Sequence, residues 1–235
     1  DETAAGLAEG RIAIFTDNSP GVLLAPATIT SLMHSADDYY SRWLSGSFVR
    51  AFRFFAGVFS IILPGLYIAL TSFHPELLPT QLTLVIASSR KGVPLPAFME
   101  AFLLEAFIEL IREAGLRLPG NLGQAVSIVG GLIIGQATVS AGLVAPLMLA
   151  VVGLTAISNF SIPNFDSAQA IRMIRFLIMV LATIFGLYGV SLGIILVLVH
   201  LSLLKSFGFS YLSPWSPLEP RDLKDALIQI GRAHV

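Results

Sequence analysis

The sequence predicts a mainly α-helical, polytopic membrane domain of about four to six membrane segments, preceded by the end of a small soluble α/β domain. The first reason is composition, since the 235 residues are 55% hydrophobic and only 12% charged, with a mean hydropathy of +0.80. Typical soluble domains are about 25% charged. The second reason is that several apolar runs approach the roughly 20 residues that a helix needs to cross a bilayer. The third is that basic residues gather at the ends of these runs.

The same composition excludes several classes of function. A net charge of −1 gives no basis for nucleic-acid binding, and the absence of Cys excludes disulfides, thiolate metal sites and a Cys nucleophile. No G-x-S-x-G, H-E-x-x-H, Walker or strand-linked G-x-G-x-x-G motif is present, and no two His residues have metal-ligand spacing. We therefore expect no enzyme, no cofactor and no metal site.

The two ends of the sequence suggest a piece of a longer protein. The chain starts with Asp, and no basic region or cleavage site precedes the apolar runs. The last six residues, "IGRAHV", match the translation of a sequencing adapter, so we expect the natural chain to continue past Gln229. The expected domains are a remnant of a soluble cytoplasmic domain (1–45), a transmembrane domain (46–205), a cytoplasmic C-terminal segment (206–229) and an adapter-derived tail (230–235).

The first 45 residues have the pattern of a small α/β fold. Gly10–Phe15 alternates like a strand, and residues 22–29 predict a second strand that Pro26 confines to an edge. Ser35 is a candidate N-cap for a helix starting at residue 36, with Asp38 in its first turn.

The apolar runs define the candidate membrane segments. The first, Ala51–Phe73, contains Pro64 and is expected to kink there. If Leu77–Ser89 also crosses, and if a final hairpin is broken near Gly189, all basic residues of the membrane region lie on one side, as the positive-inside rule prefers. The predicted topology therefore has six crossings, formed by Ala51–Phe73, Leu77–Ser89, Leu122–Ser140, Leu143–Phe160 and the two halves of Phe176–Leu204.

A polar interruption separates the first two of these segments. In "FHPELLPTQ", His74, Pro75 and Glu76 follow a long apolar run, which predicts a tight external turn. His74 and Glu76 are also candidates for sensing pH or binding a cation, although a solvated turn with a rigid Pro is the simpler interpretation.

Residues 97–115 predict an amphipathic helix with an acidic stripe. At 100° per residue, Glu105, Glu109 and Glu113 share one face, with Arg112 placed to pair with Glu109. Carboxylates are costly in lipid, so the stripe faces water, another subunit or a lumen. In a ring of identical subunits it would form acidic rings that favour cations. The alternative is a helix lying on the cytoplasmic leaflet.

The next apolar segment is rich in small residues. Ser127, Gly131 and Gly135 recur every four residues, which is the pattern that lets membrane helices pack closely. The polar side chains of this helix are candidates for an ion or substrate path, with plain helix packing as the alternative; they are Gln124, Gln136 and Ser140.

Several blocks together resemble one known family. The blocks "PGLYIALTSFHPELLPTQL", "GVPLPAFMEAFLLEAFIELIREAGLRLP", "GQAVSIVGGLIIGQATVSAG" and "SFGFSYLSPWSP" are similar, in order, to the A subunits of GerA-type spore germinant receptors, which include a stage V sporulation paralogue. The resemblance runs from about Gly10 to Pro217. "TDNSPG", where a Gly-containing turn is usual, is a minor departure.

The resemblance implies a function in nutrient sensing. It implies a protein of the spore inner membrane that acts with a nutrient-binding, lipoprotein-like subunit and a transporter-like subunit. It also implies self-association into a nutrient-gated channel for monovalent cations, and it carries no catalytic residues. Two alternatives stay open, a secondary transporter built on broken helices and a non-conducting scaffold that relays a partner's signal.

Overall fold

The computed structural model describes residues 2–8, 10–19, 21–35, 38, 42–118 and 121–218, without the side chains of residues 2, 121, 122 and 124–128. Within these residues the chain is mainly helical, as expected. In chain order the elements are α1 (Glu2–Ala8), β1 (Ile12–Phe15), β2 (Val22–Ala25), α2 (Ile29–Met33), α3 (Trp43–Ser72), a 3₁₀ turn (Pro75–Leu77), α4 (Thr80–Ser89), α5 (Ala97–Arg117), α6 (Asn121–Ser140), α7 (Pro146–Phe160), α8 (Phe165–Phe185), α9 (Leu187–Leu203), β3 (Lys205–Ser206) and β4 (Phe209–Ser210).

The described residues form two compact units. The first unit comprises the described residues of Asp1–Val58, Phe160–Ala170 and Ile195–Val235. The second comprises Phe59–Asn159 and Ile171–Ile194.

The first unit contains both predicted strands. β1 and β2 pair antiparallel, with Ile12 opposite Ala25 and Phe15 opposite Val22, and Pro26 follows directly after the second strand. Pro cannot donate to a ladder, which agrees with its place at the end of an edge strand.

Segments far apart in the sequence meet in this unit. The backbone N–H of Ile29 donates to the carbonyl of Tyr211 at 2.9 Å. The rings of Phe54 and Trp215 stack with centroids 5.7 Å apart and planes 12° from parallel. Tyr211 and Trp215 therefore contact the start of α2 and the first half of α3, and these contacts could not be inferred from local sequence.

Asp38 has backbone and side-chain partners within this unit. Most of the helix predicted from residue 36, with Ser35 as its N-cap, lies outside the described residues, and Asp38 itself has 3₁₀ conformation. The carboxylate of Asp38 accepts from the backbone N–H of Ser35 at 3.2 Å and from Arg53 Nη1 at 2.9 Å, with Arg50 Nε 3.5 Å away. Burial raises the pKa of Asp38, but the hydrogen bonds from Arg53 and Ser35 outweigh it and hold the pKa below its usual value.

Among the described residues, two helices are long and apolar enough to cross a bilayer, and they are α3 and α8. The 30 residues of α3 extend for about 45 Å, longer than a hydrocarbon core of roughly 30 Å. Pro64 lies inside α3, which continues through it. Shorter apolar helices run over Val129–Ser140, Pro146–Phe160 and Leu187–Leu203.

Contacts in the second unit fix the directions of α3, α5 and α8. Gly65 of α3 abuts Ile178 of α8, and the turn at Gly186 after α8 abuts Phe73 after α3, so these two helices run parallel. α5 runs antiparallel to α8, because residues later in α5 contact residues earlier in α8. These contacts are Phe102 with Phe176, Glu105 with Arg175, and Glu109 with Arg172.

The directions of α6 and α7 follow from their contacts with neighbouring helices. A Cβ placed on Gly130 of α6 would lie 3.8 Å from Ile111 of α5, and one placed on Gly123 would meet the carbonyl of Gly115. α5 and α6 are therefore an antiparallel pair. Gly135 of α6 then packs on Leu149 of α7, after the tight turn at residues 141–145.

The predicted hairpin of the last apolar run is present and breaks at Gly186. Gly186 has φ +62°, a backbone conformation that side-chain-bearing residues rarely adopt. Gly189 packs directly against the backbone carbonyl of Leu181, and Gly193 packs against Ile178. α9 therefore runs antiparallel to α8. The six helices α3, α5, α6, α7, α8 and α9 therefore alternate in direction.

The segment Leu77–Ser89, predicted as a crossing, contains only the short helix α4. α4 has ten residues and extends for about 15 Å, half of a hydrocarbon core. Arg90, just after α4, pairs with Glu100 near the start of α5. Glu100 lies beside Ala101, which shares a buried cluster with Ile68 near the end of α3. The chain thus stays at the His74 end through α4 and returns along α5.

Candidate functional site

A buried polar network joins four helices of the second unit. Arg175 of α8 donates through Nη1 to both carboxylate oxygens of Glu105 on α5, at 2.7 and 2.8 Å. Its Nη2 donates to Ser60 Oγ of α3 at 2.8 Å, and that hydroxyl lies 3.5 Å from Asn159 Oδ1 at the end of α7. We call these four residues the polar hub.

Every member of the polar hub is almost completely enclosed. Arg175 is 1% exposed, Glu105 3%, Ser60 0% and Asn159 2%. Removing one partner of a buried ion pair leaves a charge without compensation, which costs about 3–5 kcal/mol. The hub therefore specifies how four helices are placed against one another.

The local sequence explains why α3 and α8 approach closely at the hub. Pro64 has no N–H, so the Ser60 carbonyl loses its usual i+4 donor. Gly65 follows, and a Cβ there would lie 2.8 Å from Ile178 Cγ2. A bulkier residue at this position would push α8 away and lengthen the bond from Arg175 to Ser60.

A second buried carboxylate joins α5 to the start of α7. Glu100 is 0% exposed, and its Oε2 accepts from the backbone N–H of Ala145 at 2.8 Å. Its Oε1 lies 3.1 Å from Arg90 Nη2. Glu100 thus satisfies an amide ahead of α7 while the nearby guanidinium balances its charge.

A third group of charges lies farther along α5 and α8. Glu109 Oε2 is 3.4 Å from Arg112 Nη1, as the i, i+3 spacing predicted, and 3.3 Å from Arg172 Nε. Glu113 pairs with Arg117 through a short i, i+4 contact of 2.6 Å. Both arginines on Glu109 are mostly covered, whereas Glu109 and Glu113 are about half-exposed.

The predicted acidic stripe therefore spans three environments. Glu105 belongs to the buried hub, Glu109 lies at the edge of an arginine cluster, and Glu113 is open to the surroundings. The role of the stripe in an ion path remains a proposal, and it depends on the two exposed members.

The small-residue helix α6 presents its predicted residues in different ways. Gly135 packs closely on Leu149, whereas Gly131 has nothing within 4 Å of where its Cβ would lie. Gln136 and Ser140 are exposed. The side chains of two further candidates lie outside the described part of the chain, and they are Gln124 and Ser127.

The turn predicted at His74, Pro75 and Glu76 is present between α3 and α4. Pro75 opens a 3₁₀ turn, and His74 Nδ1 lies 3.4 Å from Glu76 Oε1. The turn also packs on Gly186, where a Cβ would lie 3.2 Å from His74 Nε2. The described residues contain no cluster of three or more His, Cys, Asp or Glu side chains able to hold a metal.

Sequence reasoning missed the partners of the acidic residues. Arg175, Arg172, Ser60, Asn159 and Glu100 were not singled out. One signal was present, because Arg172 and Arg175 are spaced i, i+3 on one helix and face Glu105 and Glu109 at i, i+4 on another. Complementary spacings of opposite charge on two apolar helices indicate a buried pairing.

Comparison with known proteins gives a consistent result. Residues 1–234 match the family model described as Bacillus/Clostridium GerA spore germination protein. The chain is 46% identical over 230 residues to spore germination protein KA of Bacillus subtilis (strain 168), covering 98% of this chain and 42% of that protein. It is 40% identical over 233 residues to spore germination protein GerLA of Bacillus cereus, covering 99% and 47%.

A third relative is named as a membrane protein. The chain is 46% identical over 229 residues to the uncharacterized membrane protein YfkQ of Bacillus subtilis (strain 168), covering 97% of this chain and 45% of that protein. The chain thus spans a little under half the length of these relatives. No solved structure matches it.

Proposed function

The chain belongs to the GerA family of spore germination proteins, and we propose that it is the membrane part of a germinant-receptor subunit that triggers spore germination. It is not an enzyme. The observation that carries the proposal is the family match over nearly the whole chain, together with 40–46% identity to proteins named for spore germination.

The proposed location is the inner membrane of the spore, with six helices crossing it. Two helices meet the length and hydropathy of a crossing segment by themselves. The other four alternate with them in direction. Of the charged residues on α5, Glu100 and Glu105 are buried beside arginines, Glu109 contacts two mostly covered arginines, and Glu113 and Arg117 lie near the helix end. The end that carries Arg112 and Arg117 then faces the cytoplasm.

The proposed activity is a nutrient-gated cation channel formed by several copies. The supporting feature is the pair of adjacent helices α5 and α6. Exposed carboxylates of Glu109 and Glu113 lie toward one end of this pair, while Gln136 and Ser140 are exposed toward the other. Rings of such groups favour cations over anions. The partners proposed with it are a nutrient-binding, lipoprotein-like subunit and a transporter-like subunit.

The test combines genetics and electrophysiology on the full-length protein. Spores that lack the gene should fail to germinate with a nutrient that this receptor recognises, and the intact gene should restore the response. The purified full-length protein, alone or with its partner subunits, should pass monovalent cations as unitary currents in a planar bilayer.

Two other outcomes would replace the channel. Saturable counterflow of one substrate without unitary currents would identify a secondary transporter. Loss of germination without any current from the purified assembly would identify a non-conducting scaffold. Normal germination of the deletion strain with every nutrient tested would contradict the receptor assignment itself.

A further inference from the structure

The β3–β4 hairpin, which directly follows α9, carries two exposed aromatic rings. Phe207 is 75% exposed and Phe209 is 62% exposed. Ser206 pairs with Phe209, so Phe207 and Gly208 form a two-residue turn, and their φ values are +49° and +88°. Positive φ at both positions is characteristic of a type I′ turn, which favours Asn-Gly. Bulky side chains rarely adopt positive φ. The geometry of the turn therefore does not explain an aromatic residue at its tip.

The base of this hairpin is held by hydrogen bonds. The backbone N–H of Ala27 donates to Ser206 Oγ at 3.0 Å, and the backbone N–H of Tyr211 donates to the carbonyl of Leu204 at 3.0 Å. The position of the hairpin within its unit is thus defined at the base, whereas the two rings at the tip remain exposed.

The other hairpin of the same unit has a polar tip. Asp17 and Asn18 lie in the turn between β1 and β2, both are exposed, and Asn18 has a φ of +61°. Asn tolerates this conformation, because its short polar side chain can hydrogen-bond to nearby backbone groups. Asp17 and Asn18 suit water as their surroundings. Phe207 adopts a similar backbone conformation with an apolar ring, which favours apolar surroundings for the second tip.

The connection to α9 places the tip close to the bilayer. The second half of α9 exposes large apolar side chains, including Ile195, Val199 and Leu203, each of which is at least half exposed. In the proposed topology α9 crosses the membrane and ends on the cytoplasmic side. Phe207 follows Leu203 by four residues, which extend for at most about 14 Å. The tip is therefore within reach of the lipid headgroups next to the end of α9.

We propose that the tip of the β3–β4 hairpin inserts into the headgroup region of the cytoplasmic leaflet, with Phe207 and Phe209 in contact with lipid. Aromatic side chains are favoured at the boundary between membrane and water. Removal of their apolar area from water provides the driving force. Lys205, which is exposed at the start of β3, can extend its ammonium group to the lipid phosphates. The inference rests on the proposed crossing by α9 and does not depend on channel activity.

The test measures the depth of the hairpin tip in the full-length protein, freed of any other Cys and reconstituted in phospholipid vesicles. A nitroxide label is attached at Phe207→Cys or, as the matched control in the polar turn, at Asn18→Cys. Power-saturation electron paramagnetic resonance compares collisions of the label with oxygen, which concentrates in lipid, and with a water-soluble nickel chelate. Position 207 should collide with the nickel chelate about tenfold less often than position 18, because burial of Phe209 alone favours the inserted position by about that factor.

A label at Ile195→Cys tests the crossing by α9 separately. This exposed position lies in the middle of the helix, so its label should collide mainly with oxygen. If the nickel chelate reaches position 195 as often as position 18, α9 does not cross the membrane, and the proposed topology fails together with the insertion. If position 195 lies in lipid and position 207 does not, only the insertion is wrong.

A pair of substitutions tests the contribution of the aromatic ring. With the label at position 207, Phe209→Asp should raise collisions with the nickel chelate about tenfold, because the apolar area that favours insertion is lost. The matched control, Leu218→Asp, introduces the same charge at an exposed apolar residue outside the hairpin and should leave the collisions unchanged. Equal effects of the two substitutions would show that Phe209 does not hold the tip in the membrane.

Two further results at position 207 would overturn the proposal. Collisions with the nickel chelate as frequent as at position 18 would place the tip in water. An immobile label that neither oxygen nor the nickel chelate reaches would mean that protein, from a second copy or a partner subunit, covers the tip in place of lipid.

Discussion

Arg175 on α8 holds Glu105 on α5 through a single nitrogen, Nη1, which lies 2.7 and 2.8 Å from the two carboxylate oxygens, while its other terminal nitrogen binds Ser60 on α3. One guanidinium thus bridges three helices in an almost fully enclosed position. Glu105 was singled out from the sequence as one of three equivalent acidic residues. Its environment gives it a structural task that Glu109 and Glu113 do not share.

The first prediction concerns the stability of the polar hub. Glu105→Gln or Arg175→Met alone should lower the free energy of unfolding by about 3–5 kcal/mol, because each leaves one buried charge without its partner. The double variant Glu105→Leu with Arg175→Met removes both charges and should lose much less. Thermal unfolding of the full-length protein in detergent measures all three. A double variant that loses the sum of the two single effects would show that the charges do not act as a pair.

The second prediction compares two glycines. Gly189→Ala should destabilise the protein by about 1–3 kcal/mol, because the new Cβ meets the backbone carbonyl of Leu181, which cannot rotate away. Gly131→Ala should be tolerated, since nothing lies within 4 Å of that position and Ala favours helix by up to about 1 kcal/mol. Unfolding temperatures of the two variants check the contrast, and equal losses would mean that α8 and α9 are not packed as described.

The third prediction concerns self-association through the face of α6 that carries Gly131, where no other residue packs within 4 Å. Gly131→Leu should leave the unfolding temperature of the single subunit unchanged but weaken assembly, because close helix packing between copies needs small residues. Size-exclusion chromatography with light scattering measures the number of subunits. An unchanged assembly with Gly131→Leu would remove this face from the interface.

The fourth prediction is a pH dependence at Asp38. Its pKa in the folded protein is held below the ordinary value of about 3.9, so its stabilising effect is complete above roughly pH 4 and disappears as the pH falls through the folded value. At pH 7, Asp38→Asn should cost about 3 kcal/mol, because Arg50 and Arg53 lose a buried partner. Unfolding measured from pH 7 down to pH 3 should show the wild type and Asp38→Asn converging only at the acid end.

The control for Asp38 is an exposed aspartate in the turn after β1. Asp17→Asn should change stability at pH 7 by no more than about a few tenths of a kcal/mol, because Asp17 is exposed. If Asp38→Asn behaves in the same way as Asp17→Asn, the ion pairs with Arg50 and Arg53 do not stabilise the fold.

The fifth prediction concerns cation selectivity. Glu109→Gln with Glu113→Gln should lower the cation-to-anion permeability ratio about twofold to fivefold, as expected if the two exposed charges together contribute about 0.4–1 kcal/mol. Glu76→Gln, a similar neutralisation at the opposite end, serves as the control. Bi-ionic reversal potentials in a planar bilayer give the ratio. An unchanged ratio after the double substitution would place the ion path away from α5.

Much of the fold could be predicted from periodicity and composition. The two strands, the apolar run that became α3 and the hairpin of α8 and α9 were all recognisable, because each depends on local pattern. The sequence predicts the hairpin break at Gly189, whereas it lies three residues earlier, at Gly186. Gly186 adopts the positive φ that reverses the chain, and Gly189 allows α8 and α9 to pack closely.

Periodicity and composition could not predict the path of the chain after α3 or the contacts of the polar hub. Counting basic residues favoured a crossing by Leu77–Ser89, because that arrangement kept Arg90 and Lys91 with the other cations. The positive-inside rule counts every basic residue as an uncompensated positive charge, whereas the charge of Arg90 is paired with the buried carboxylate of Glu100. The acidic stripe was found, but helical periodicity alone could not show which of its members a neighbouring helix covers.

The most direct test of this architecture is the side of the membrane on which Lys91 and Gly115 lie. These 235 residues contain no Cys, so in a full-length protein freed of any other Cys, His74→Cys, Lys91→Cys and Gly115→Cys can each be labelled in intact cells with a membrane-impermeant maleimide. With α5 crossing the membrane and α4 remaining at one end, the reagent should label positions 74 and 91 alike and leave position 115 unlabelled until the cells are opened. Labelling of positions 91 and 115 together from the same side would contradict the crossing by α5.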